Sequence, residues 1–109
     1  MYSNSYVLAV KEGNPTKEEL QALAGKISEN WRPLGRRLNF DEPELDGFDE
    51  AKSVLKEKAY AMLLQWTQRD GAEQATYQVL KEALCHDLVR RRDLAEKICC
   101  TKNSVSGQF

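Results

Sequence analysis

Apolar residues return every three or four positions from Leu20 to Ile98, and most stretches of that rhythm open at a residue able to cap a helix. Thr16 followed by Glu19 forms a capping box, after which Leu20, Leu23, Ala24 and Ile27 keep one face for about three turns. Asn30 is the expected N-cap of a second helix carrying Trp31, Leu34 and Leu38, with Pro33 tolerated in its first turn. Asp41 and Glu44 repeat the box ahead of a short third helix, whose inward pair is Leu45 and Phe48. A longer stripe of Leu55, Ala59, Met62, Leu63 and Trp66 follows, and Gly71 ends it as a C′ glycine would. Thr76 opens a fifth helix with Tyr77, Leu80, Ala83 and Leu84, and a sixth carries Leu94, Ala95 and Ile98. Residues 1–15 read as an extended or flexible lead-in: the strand-like YVLAV, then a Gly13-Asn14-Pro15 turn. Residues 101–109 are polar and read as a flexible tail. Six short helices with brief connections make an all-α, antiparallel bundle.

Composition narrows the class without naming a chemistry. The chain has 109 residues, 41% apolar and 30% charged, which is one globular domain rather than a disordered chain. No apolar run approaches the roughly 18 residues a membrane span needs. The run Val7–Val10 is too short for a signal-peptide core and has no basic residue ahead of it. A cytosolic or nuclear protein, or the cytoplasmic part of a larger one, is expected. Cys85, Cys99 and Cys100 are an odd count with two adjacent members, so reduced thiols are expected rather than a disulfide framework.

The ordered set of landmarks resembles the death domain, a member of the six-helix death-fold superfamily. The matching segments are NWRPLGRRL at 30–38, ELDGFDE at 44–50, KEKAYAMLLQWTQRDGAEQATYQVLKEAL at 56–84 and RRDLAEKI at 91–98. They hold the W-x-x-L-x-x-x-L second helix, a fourth helix ending in tryptophan and glycine, and a threonine-led fifth. The resemblance covers residues 16–100. It implies a homotypic protein-interaction module of apoptotic or inflammatory signalling, docking on other death domains through largely electrostatic surfaces, with no catalytic residue, metal or cofactor.

Charge placement supplies the candidate site. Net charge is only −1, but Arg32, Arg36 and Arg37 stand just before Asp41, Glu42, Glu44, Asp46, Asp49 and Glu50. Six carboxylates without an intervening cation repel one another, and an exposed acidic helix beside an arginine-bearing one suits charge-complementary docking. Arg90, Arg91 and Arg92 form a second basic cluster, set where cations oppose the helix dipole. Trp31 and Trp66 lie on apolar stripes and belong to the core with Leu23, Ile27, Leu34, Leu38, Leu45, Phe48, Leu55, Met62, Leu80, Leu84, Leu94 and Ile98.

Other chemistries fail on spacing. Cys85, His86, Cys99 and Cys100 are zinc-ligand types, but no C-x₂-C arrangement is present. The one histidine has no matched acid and no oxyanion signature, so no nucleophile is activated. The acidic stretch is no calcium loop, because Ser53 stands at the bidentate position and Pro43 spoils the turn. No small-molecule substrate is implied. Two alternatives remain open at this level: a nucleic-acid-binding helical domain, which the net charge and the acidic run disfavour, and an intramolecular scaffold domain.

Overall fold

The capping chemistry places the first helix where the pattern predicts. In the computed structural model, which describes residues 6–104, the Thr16 side chain accepts from the Glu19 amide at 3.1 Å, and the Glu19 carboxylate accepts from the Thr16 amide at 2.9 Å. Helix α1 runs Lys17–Ile27 and passes through a single 3-10 turn, Ser28–Asn30, straight into α2, Trp31–Arg37. Because that turn supplies the Ser28 carbonyl to the Trp31 amide, Asn30 is not needed as a side-chain cap. Its amide reaches the Val89 carbonyl instead, at 3.1 Å. The expected cap is therefore a tertiary tie.

Helix α2 ends in a Schellman motif. Asn39 takes φ 74°, the Asn39 amide donates to the Arg36 carbonyl at 3.1 Å, and the Phe40 amide donates to the Gly35 carbonyl at 3.0 Å. Phe40 then turns into the core and meets Phe48 edge-on, with ring centroids 5.5 Å apart. Helix α3, Glu42–Ala51, starts at the Asp41–Glu44 box with Pro43 in the first turn. Helix α4 spans Leu55–Gln74, with the break at Gly71, where φ is 77° and the helical path stops. Beyond it, the Asn14 amide donates to the carbonyls of Ala72 and Ala75 at 2.7 and 2.8 Å. Helix α5 is Tyr77–Cys85, capped by Thr76, and α6 is Arg92–Cys99.

The lead-in forms strand β1, Tyr6–Val10, and it pairs antiparallel with β2, Cys100–Ser104, from Tyr6 opposite Ser104 to Val10 opposite Cys100. Residues 101–104 thus depart from the expected flexible tail. Their polar sequence carries no strand signal, and the ladder with β1 supplies the order. Residues 105–109, and 1–5 of the lead-in, lie outside the described residues.

One apolar cluster runs through all six helices. Leu23, Ile27, Trp31, Leu34, Leu38, Leu45, Met62, Trp66, Leu80, Leu84, Leu94 and Ile98 are buried, while Phe48 and Leu55 are half-buried against them. The pattern overlooked Phe40, Ala75, Val89, Cys99 and Cys100, which are also buried. Burial lifts the Cys99 thiol to about 12, so it is a core residue and not a nucleophile.

A small residue sets the closest approach. A Cβ on Gly35 would stand 2.6 Å from Leu45 Cδ2 and 3.6 Å from Met62 Cγ, so α2 can lie against α3 and α4 only without it. Since Leu45 and Met62 are fully buried, neither can swing into solvent. Gly35→Ala is expected to destabilise by about 1–3 kcal/mol through overpacking. Chemical denaturation of the two proteins checks this; unchanged stability would show that α2 can move aside.

A second tie holds the lead-in to the bundle. Lys11 pairs with Glu19 at 2.8 Å and lies over the Tyr77 ring, and the Tyr77 hydroxyl donates to Glu19. Burial alone would raise the Glu19 carboxyl, but Lys11, the Thr16 amide and the Tyr77 hydroxyl overcome it and hold the group at about 2, against an ordinary 4.5. The unfolded chain therefore takes up this proton at higher pH than the folded one does. Stability from this group is complete above about pH 4.5 and is lost as pH falls towards about 2. Glu19→Gln should flatten the acid limb of a urea-midpoint-against-pH curve; an unchanged limb would count against the tie.

Candidate functional site

The two arginines of α2 are placed by the residues between them. Trp31, Leu34, Gly35 and Leu38 face the core, so Arg32 and Arg36, four positions apart, share the outer face. The tight α2–α3 approach then brings them onto the acidic run. Arg32 reaches Asp46 at 2.8 Å, Asp49 at 3.1 Å and Glu42 at 3.5 Å, and its guanidinium lies 5.3 Å from the Trp31 ring. Arg36 binds Glu42 through two nitrogens, at 2.6 and 3.3 Å. Lys58 of α4 closes the cluster on Asp49.

These pairs set the protonation of the cluster. The hydrogen bond from Arg36 holds the Glu42 carboxyl below its ordinary range, and Lys58 followed by Arg32 does the same for Asp49. The hydrogen bonds that Arg32 donates to Asp46 and Asp49 raise its own pKa, and those that Arg36 donates to Glu42 raise that of Arg36. Much of the charge expected for docking on α2 and α3 is thus matched inside the chain. Reversing Arg32 or Arg36 would set like charges against Glu42, Asp46 and Asp49, and would not probe a partner cleanly. Exposed pairs of this kind add little to stability; this cluster bridges α2, α3 and α4.

What stays unmatched is acidic. Asp41 and Glu44 serve the capping box. Six carboxylates against Arg32, Arg36 and Lys58 leave three negative charges on the α3 side. Glu50 is exposed and makes no ion pair among the described residues, although it stands in the last turn of α3, where the helix dipole disfavours an anion. Asp46 keeps 61% of its side chain exposed despite Arg32.

The other cations go elsewhere. Arg37 faces away from α3 and contacts the His86 ring at 3.2 Å. Of the second cluster, Arg91 donates to the Lys26 carbonyl at 3.2 Å and pairs with Asp93 at 3.1 Å, so it closes the end of α1. Arg90 takes φ 58° and donates to the Asp87 carbonyl at 2.9 Å, next to Leu88, which is 65% exposed. Arg92 is exposed at the first turn of α6, and the three side chains do not act as one patch.

The structure adds Arg69, which no sequence signal singles out. It donates to the Leu38 carbonyl and, at 3.1 Å, to the Asn39 carbonyl, lies 4.3 Å from the Phe40 ring and pairs with Asp70 at 2.7 Å. It thus satisfies the C-terminus of α2 from the far end of α4, and the hydrogen bond with Asp70 holds that carboxyl low. No group of three or more histidine, cysteine, aspartate or glutamate side chains is placed to hold a metal ion among the described residues. Cys85 is half-buried against the core.

The internal pairing has a direct spectroscopic consequence. Arg36→Gln should raise the Glu42 carboxyl towards its ordinary value while leaving Asp49 depressed through Lys58. Carboxyl carbon NMR titration would detect this, and a Glu42 titration unmoved by the change would mean the pair does not form in solution.

Comparison with known proteins agrees with this architecture. The family model described as Death domain matches residues 17–99. Human receptor-interacting serine/threonine-protein kinase 1 is 31% identical over 90 residues, which cover 81% of this chain and 13% of that protein. With six helices in one bundle and a family match across nearly all of them, the chain belongs to the death domain family.

Proposed function

We propose that this death domain is a non-catalytic interaction module that docks its acidic α3 face on a basic surface of another death domain, in apoptotic or inflammatory signal transduction in the cytoplasm. The observation that carries the reading is Glu50: an exposed carboxylate with no cation among the described residues, at the helix end that disfavours it, beside the half-exposed Asp46 and Asp49. A charge kept where it weakens its own helix is best accounted for by a partner that needs it. Arg32 and Arg36 then act as positioning residues that present α3, and Arg37 with Arg90 offers a basic surface for an acidic partner.

The cation placement speaks against a nucleic-acid reader. Arg32, Arg36 and Arg91 are occupied by carboxylates and carbonyls of their own chain, so neither α2 nor α6 presents a free basic stripe. The likeness to the human kinase extends over 13% of that protein, so its kinase activity does not carry over.

The test uses two probes: the chain itself, and the segment of the human relative that aligns with it. Glu50→Lys should weaken association by about tenfold or more and reduce its salt dependence, since this side chain is exposed and makes no ion pair among the described residues. Biolayer interferometry at two ionic strengths reads both effects, with a thermal melt as the fold control. Association with neither probe, or association indifferent to the reversal, would overturn the reading.

A further inference from the structure

Helices α5 and α6 and the root of the β1–β2 ribbon border a cleft of about 350 Å³, apart from the acidic face of α3. Helical spacing builds two of its walls. Lys81 and Cys85 stand four positions apart on α5, and Arg92 and Glu96 four apart on α6, so each pair shares one face of its helix. Val10 of β1 and Cys100 of β2, which are cross-strand partners in the ribbon, line the remaining side.

Two observations mark this cleft as a place for a ligand. Cys100 is only 8% exposed and its thiol has no hydrogen-bond partner among the described residues, yet it lines the cleft. The charged side chains beside it are also unmatched. Lys81, Arg92 and Glu96 form no ion pair among the described residues, whereas Lys11, Lys58, Arg32, Arg36, Arg69 and Arg91 all do. Two cations, one carboxylate and two thiols therefore open on one small space. Of the thiols Cys85 is half-buried and the more accessible, while Cys99 is fully buried and outside the cleft.

We propose that the cleft is a modification site for glutathione, held as a mixed disulfide on Cys85. A glutathionyl group carries two carboxylates, one ammonium and one sulfur. The cleft presents the complement of each: Lys81 and Arg92 for the carboxylates, Glu96 for the ammonium and Cys85 for the sulfur. The adduct forms by thiol–disulfide exchange with oxidised glutathione. Cys85 gives up its proton and attacks one sulfur of the reagent, so that a bond to Cys85 forms as the S–S bond of the reagent breaks. The electron pair leaves on the second glutathione, which takes up a proton and departs as the reduced thiol. Cys85 is thereby oxidised and half of the reagent reduced. Attack by reduced glutathione reverses the step, so occupancy follows the oxidised share of the glutathione pool. The adduct lies over Val10 and Cys100, where the ribbon meets α5 and α6.

The probes are oxidised glutathione and the uncharged hydroxyethyl disulfide, each with its own reduced thiol at fixed ratios. Products are read by intact mass and peptide mapping. One glutathionyl group on Cys85 is expected, and Cys85→Ser should abolish it. Lys81→Gln with Arg92→Gln should lower the equilibrium preference for glutathione over the uncharged reagent by about fivefold or more. Taking the ratio of the two reagents cancels any change in the Cys85 thiol itself, and a thermal melt confirms that the variant is folded. Amide shifts on adduct formation should reach Val10 and Cys100, across the cleft from Cys85. The proposal is overturned by no adduct, by an adduct on Cys99 or Cys100, or by a glutathione preference indifferent to Lys81 and Arg92. Shifts that spare Val10 and Cys100, or a Cys85–Cys100 disulfide that retains no glutathione, would overturn it equally.

Discussion

The closeness of α2 to α3 and α4 at Gly35 is the constraint on which one whole side of the molecule depends. Because no Cβ intervenes, Leu45 and Met62 close over α2, and the outer faces of α2 and α3 come within side-chain reach. The fan of Arg32 across Asp46, Asp49 and Glu42 follows from that distance rather than causing it. So does the turn that buries Phe40 under the Arg69 guanidinium. Hydrophobic packing sets the spacing, and the electrostatics then settle into the geometry they are given.

Charge in this domain has two layers. The inner one is structural: Arg69 and Arg91 satisfy helix ends from other helices, Lys11 and Tyr77 hold Glu19, and Arg32 and Arg36 hold α3. The outer one is what the inner leaves over, an acidic residue on α3 and the cations Lys81 and Arg92 on α5 and α6. A net charge of −1 conceals this separation, since opposite excesses on two faces nearly cancel in the total. Association through such faces would be oriented, with steering and register set by charge and affinity by whatever apolar surface is covered.

Helix positions were legible because caps and apolar periodicity are local: Thr16–Glu19, Asp41–Glu44 and Thr76 each announce a start within four residues. The Schellman end of α2 was harder to read, because asparagine at 39 replaces the glycine that usually marks a left-handed residue. Strand β2 was not legible at all; CTKNS has no alternation, and its partner lies about ninety residues away in the chain. The candidate site was legible in part. Sequence spacing showed that Arg32 and Arg36 share a face, yet whether that face meets solvent or Glu42 is decided by helix packing, which spacing does not contain. Arg69 illustrates the same limit, since its partners are backbone carbonyls that have no sequence signature.

The β1–β2 pairing has a mechanical meaning. Tyr6 stands opposite Ser104 at the outer end of the ladder, so chain flanking either side sets out from neighbouring points. Tension applied through both flanks would load the hydrogen bonds one at a time, in an unzipping direction, from Tyr6–Ser104 inward to Val10–Cys100. The ribbon would open as a fuse before force reached the helices, and the bundle would hang from its tether like a pendant rather than stand in line as a link.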